Sequence, residues 1–137
     1  MPDLNRIRDL RDEAGHVLRV GTQGWHRSVV LVLEDEAADG GQSIVLDSYG
    51  AEMLAGYIMA ARMTVPDPLP VERIAGSFPS LFSVHYGPDT QIVIEQRGDD
   101  RQLAISRPFW ERLYAELWLA IPRMRVQFDS SVPATLQ

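Results

Sequence analysis

Apolar residues recur along the chain in two periods, and the points where the period changes outline its elements. From 3 to 14, Leu4, Ile7 and Leu10 form a narrow stripe separated by Arg and Asp, which predicts a short N-terminal helix closed by Gly15. His16 to Val20 then alternates as a strand, and Gly21 to Gly24 reads as a turn. Arg27 to Glu34, with Val29-Val30-Leu31-Val32-Leu33 inside it, reads as a well-buried strand. After an acidic, glycine-bearing turn over 34–41, Gln42 to Leu46 supplies a third strand, and Asp47 or Ser48 caps a helix. Between Tyr49 and Met63 the apolar Met53, Leu54, Tyr57, Ile58 and Ala61 fall at helical spacing, and only Glu52 and Arg62 are charged.

Prolines at 66, 68, 70 and 79 exclude a regular helix over 64–81, so this stretch reads as an extended connector. The pattern then restarts. Phe82 to Tyr86, Gln91 to Glu95 and Gln102 to Ile105 read as three strands, with Gly98-Asp99-Asp100 as a turn. Ser106 is the expected N-cap of a second helix carrying Leu113, Tyr114, Leu117, Trp118 and Ile121, bounded by Pro122.

The halves can be laid over one another. Val30 to Glu34 falls on Gln91 to Glu95, Ser43 to Asp47 on Gln102 to Ser106, and Glu52, Leu54, Ile58 and Ala61 on Glu111, Leu113, Leu117 and Ala120. The expected fold class is therefore α+β: an N-terminal helix followed by a duplicated βββα unit, with antiparallel sheets and helices packed on one face. The expected single domain, 1–137, divides into the helix at 1–15, a first unit at 16–63, the connector at 64–81, a second unit at 82–122 and a tail at 123–137, mobile from Asp129 on.

Both predicted helices are apolar over a wider arc than packing on one sheet requires. Met59 and Met63 lie away from the Met53/Tyr57 face, and Trp118 widens the stripe of the second helix. A homodimer through the helical layer is the economical expectation.

Composition narrows the chemistry. The 137 residues carry no cysteine, which excludes disulfides, thiolate nucleophiles and Cys-containing metal sites. All thirteen basic residues are arginine, so Schiff-base and P-loop lysine chemistry is excluded too. Nineteen acidic residues give a net charge of -6, the opposite of a duplex-binding footprint. There is no signal-peptide pattern at the N-terminus and no long apolar run, which leaves the cytoplasm as the expected location and no membrane as a partner.

His16, His26 and His85 have no metal-ligating spacing, and no nucleophile elbow, dinucleotide fingerprint or Walker loop occurs. No catalytic residue, metal or cofactor is expected. The acidic tips Glu34-Asp35-Glu36 with Asp39, and Asp99-Asp100 with Asp89, follow no defined cation spacing but would attract a basic partner. Trp25, His26 and Arg27 form a candidate recognition patch by stacking and charge-assisted hydrogen bonding. With Met59, Met63 and Trp118 they are the candidate binding residues.

The strand run closing in Ile105-Ser106 and leading into Pro108-Phe109-Trp110-Glu111-Arg112-Leu113 resembles the strand-to-helix junction of the positive-cofactor-four, Whirly and Pur families of single-stranded nucleic-acid binders. That resemblance covers about a quarter of the chain. It implies an antiparallel sheet joined to a helix that dimerises or pairs with its repeat. The chain also resembles, in element order, size and acidity, the small dimeric chaperones of type III secretion, which begin with a helix. The leading expectation is a non-enzymatic binding protein of adaptor, chaperone or inhibitor type, with a basic protein partner. Single-stranded nucleic acid is the alternative, through the Trp25 patch and Arg107, Arg112, Arg123 and Arg125.

Overall fold

The computed structural model describes residues 4–36, 42–65, 67–98 and 100–136. The chain runs β1 (Leu4–Arg11), β2 (Val17–Trp25), β3 (Ser28–Asp35), β4 (Gln42–Leu46) and α1 (Ser48–Thr64). It continues through β5 (Glu72–Ile74), β6 (Ser80–His85), β7 (Gln91–Gln96), β8 (Arg101–Ser106), a 3-10 turn at Arg107–Phe109 and α2 (Trp110–Leu136). Two antiparallel four-stranded sheets result, ordered β1-β2-β3-β4 and β5-β6-β7-β8.

The expected N-terminal helix is absent: residues 4–11 form a strand antiparallel to β2. Each half is therefore ββββα rather than βββα, and the helix-first order shared with the type III secretion chaperones is lost. The spacing of Leu4, Ile7 and Leu10 misleads because β1 turns arginines as well as an apolar residue toward α2. Arg6 and Arg8 reach Glu116 of α2 at 3.1 and 3.4 Å, and Glu116 is buried. A buried carboxylate with two guanidinium partners lets a charged strand line a core, something apolar periodicity cannot register.

Three further differences have equally local causes. Gly21 and Gly24 lie inside β2, opposite Val32 and Val29, and the hairpin turns instead at His26 and Arg27. His26 takes the left-handed conformation (φ 56°) that so tight a turn requires. The proline-rich connector contains β5, a three-residue edge strand on β6. Pro122 does not end the second helix, since α2 continues to Leu136. Pro122 lies on the exposed side of α2, where water can satisfy the carbonyl that its missing N–H leaves without a partner.

One apolar core joins both halves. Leu18, Val20, Leu31, Leu33, Ile44 and Leu46 come from the first sheet, and Ile74, Phe82, Ile92, Ile94, Leu103 and Ile105 from the second. The helices are not simply laid over their own sheets. α2 packs across β2 and β3 of the first half, while α1 contacts β6 of the second half as well as β3 and β4. The Tyr57 ring of α1 lies 5.7 Å from that of Phe82, and its hydroxyl donates to Pro70 O at 3.0 Å. Burial pushes that phenol up to about 12.

The helices run antiparallel against each other, tied at one end by Arg62 and Glu111 (3.8 Å) and at the other by Arg125 and Glu52. The two sheets meet along β4 and β8. There the buried Gln96 side chain accepts from Val45 N (3.2 Å) and donates to Val45 O (2.5 Å), so an amide side chain stands where a neighbouring strand's peptide would pair.

Candidate functional site

The two strand-to-helix junctions build two clefts at matching places. One, of about 340 Å³, collects His16 and Val17 from the start of β2, Asp89 and Gln91 from the start of β7, and Ile105 and Ser106 from the β8–α2 junction. Asp35 and Gln42, at the facing ends of β3 and β4, complete its wall, and Phe109 closes it with Leu18. The other, of about 320 Å³, collects Ser77 from the lead-in to β6, Ser28 and Val29 from the start of β3, Asp47 and Ser48 from the β4–α1 junction, and Met124 and Arg125 from α2.

Their chemistry differs. In the second cleft the Asp47 carboxylate is occupied: one oxygen accepts from Gly50 N at 2.7 Å and the other from Ser77 N at 3.4 Å. It caps α1 and ties that helix to the chain entering β6. Gly76 (φ 129°) permits the close approach, since a Cβ there would lie 3.2 Å from the same carboxylate. Arg125 is paired with Glu52.

The first cleft keeps an acidic rim. His16 closes one side, its backbone N–H donating to Asp12 Oδ1 (2.8 Å) and its Nδ1 lying 3.0 Å from Asp12 Oδ2. Asp12 raises the imidazole above its usual value, and Asp35 and Asp89 add to that effect through their charge. The His16 bond in turn holds the Asp12 carboxyl below the usual range. On the facing side, Gln91 Nε2 donates to Asp89 Oδ2 at 3.2 Å. Among the described residues no hydroxyl is hydrogen-bonded to His16, and no three His, Asp or Glu side chains are grouped to hold a metal.

The residues singled out from sequence divide into two places. Met59, Met63 and Trp118 share the outer surface of the helix pair, where Met63 is 78% and Trp118 43% exposed. The Tyr114 ring stands edge-on to Trp118 at 6.4 Å. Trp25, His26 and Arg27 form the β2–β3 tip, where the Trp25 ring lies 4.3 Å from His26 and 5.0 Å from Phe78. Trp25 is thus anchored against the second half while remaining 41% exposed. Asp39 and Asp99 of the acidic tips lie outside the described residues. Asp35 and Asp89, which sequence places in different hairpins, meet at one cleft. The only signal for that meeting was the shared acidity of the hairpin ends.

No family model matches the chain, and the curated proteins contain no match to it. Among the described residues no helix is long and apolar enough to cross a membrane.

Proposed function

We propose that the chain is a non-enzymatic, cytoplasmic binding protein that works through protein–protein contacts and pairs with a second copy of itself across its helical surface. The observation that carries this reading is the uncharged middle of that surface. On α1 it comprises Gly56, Met59, Ala60 and Met63, and on α2 Ala115, Trp118, Leu119 and Pro122, with Leu119 51% exposed. Contiguous apolar exposure of this kind marks contact surfaces, and tryptophan and methionine are over-represented in them. Both helices carry an acid toward the N-terminal end (Glu52, Glu111) and an arginine toward the C-terminal end (Arg62, Arg125). An antiparallel copy related by a two-fold axis therefore sets acids opposite arginines, as the two helices already do within one chain.

Sedimentation velocity from nanomolar to high micromolar concentration tests it. The wild-type chain is expected to sediment as a dimer. Trp118→Asp combined with Met63→Asp should give a monomer with unchanged circular dichroism, since both side chains are exposed. A wild-type monomer throughout, or a dimer that tolerates both substitutions, overturns the reading.

One observation favours the single-stranded nucleic-acid alternative. The two helices pair with each other, as the resemblance to the Whirly and Pur families implies for a helix and its repeat, and Trp25 offers a ring for stacking. Fluorescence anisotropy with an oligothymidine tests this: affinity that falls steeply with added salt and with Trp25→Ala supports it, and no binding at low salt rejects it.

A further inference from the structure

We infer that a pocket of about 310 Å³ on the outer face of the second sheet receives the C-terminal carboxylate of a protein partner whose last side chain is apolar and branched, as in leucine; this rests on the protein-binding reading above. Strand alternation sets its place. Arg73, Leu81 and Glu95 lie in one row across β5, β6 and β7, with Leu81 paired to both of the others. Their chain neighbours Ile74, Phe82 and Ile94 lie in the core, so the row faces away from both helices. Arg97, two residues beyond Glu95, lines the same pocket.

Floor and charge together select the ligand. Ile74, Pro79 and Leu81 give the pocket an apolar floor for a hydrocarbon side chain. Arg73 and Arg97 are exposed, and among the described residues neither is in an ion pair, although Glu95 stands at the same pocket. Elsewhere Arg6, Arg8, Arg19, Arg62 and Arg125 each hold a carboxylate. Here opposite charges share one space and stay apart, with the apolar Leu81 between Arg73 and Glu95. A guanidinium binds a carboxylate through parallel N–H donors, so the two arginines hold the anion. Glu95, which only accepts, takes the N–H of the last peptide bond. Two positive groups against one negative favour a monoanion over a phosphate dianion.

The probe is N-acetyl-L-leucine, which carries the side chain, the amide and the carboxylate, titrated into the full chain by nuclear magnetic resonance. Saturable shifts are expected at the amides of Ala75, Leu81 and Gly98, with none at Met59 or Leu119 on the helical surface. N-acetyl-L-leucinamide, which lacks the carboxylate, and 4-methylpentanoate, which lacks the amide, should each bind about tenfold more weakly, the scale of one lost charged hydrogen bond. Arg73→Gln with Arg97→Gln should weaken binding of the probe at least as much, with unchanged circular dichroism because both side chains are exposed. Absence of saturable shifts, equal binding of the leucinamide, or unchanged affinity in the double variant overturns the inference. Equal binding of 4-methylpentanoate overturns the assignment to a peptide end. Sedimentation of the same samples separates the two proposals: a monomer that still binds N-acetyl-L-leucine refutes the helical-surface reading alone, and a dimer that does not bind it refutes the pocket alone.

Discussion

The two ββββα halves solve the same junction problem in different ways. Where β4 gives way to α1, Asp47 caps the helix with its side chain and the first buried positions beyond it are the small Gly50 and Ala51. Where β8 gives way to α2, the equivalent Ser106 makes no side-chain cap, and the position matching Ala51 is Trp110, 1% exposed. Trp110 Nε1 donates to Ile105 O at 2.9 Å, and Arg107 N donates to Thr90 O at 3.1 Å, so a buried ring and a backbone bond take over the work of the carboxylate. The lesson is that the same strand-to-helix step can be secured by a capping carboxylate or by a buried ring and a backbone bond.

That contrast can be broken most severely at Trp110. Trp110→Ala should destabilise the protein by about 3–5 kcal/mol, through lost burial, a cavity and an unpaired Ile105 carbonyl. Ala51, its counterpart, offers no comparable truncation. Chemical denaturation followed by far-ultraviolet circular dichroism measures the difference. A Trp110→Ala cost near that of a surface change would mean the second junction does not depend on the ring.

A smaller effect is expected at the cap. Asp47→Ala should cost about 1 kcal/mol, with faster amide exchange at both Gly50 and Ser77. Ser106→Ala should leave stability within about 0.5 kcal/mol of wild type. Equal costs for the two substitutions would erase the asymmetry.

The smallest effect is the pH response of the cleft rim. His16 is raised above the ordinary 6.5 and Asp12 is lowered below the ordinary 3.8. The His16 contribution is complete below about pH 6.5 and disappears as pH rises through the raised value. The Asp12 contribution is present above about pH 3.8 and disappears as pH falls through the lowered one, so the pair helps most between those limits. Asp12→Asn should bring the His16 midpoint down in a proton resonance titration. An unmoved midpoint would show that Asp12 does not set it.

Strand and helix positions in the interior were legible because core residues recur two apart in strands and along a stripe in helices: Leu31 and Leu33, Ile92 and Ile94, Leu54 and Ile58 all lie in the core. What misled the reading was charge inside. β1 is held to α2 by the partly buried Arg6 and the exposed Arg8 on the buried Glu116, partners 110 and 108 positions apart in sequence, so local spacing favoured a helix. The glycines of β2 were mistaken for a turn because nothing local reveals that Gly21 lies opposite Val32. The helical-surface candidates were legible as excess apolar width, since Met59, Met63 and Trp118 are the residues a single sheet could not cover. The acidic cleft was not, because the convergence of Asp35 and Asp89 depends on how the two sheets meet along β4 and β8.

The crossing of α2 onto β2 and β3 carries a consequence for synthesis. During translation the first four strands and α1 emerge while the helix that covers part of their sheet is still inside the ribosome or not yet made. The first half must then wait with Leu18, Val20 and neighbouring apolar residues incompletely covered until α2 has emerged. Folding of the first half is thereby tied to synthesis of α2, and a ribosome stalled before α2 would hold an aggregation-prone intermediate rather than a finished half.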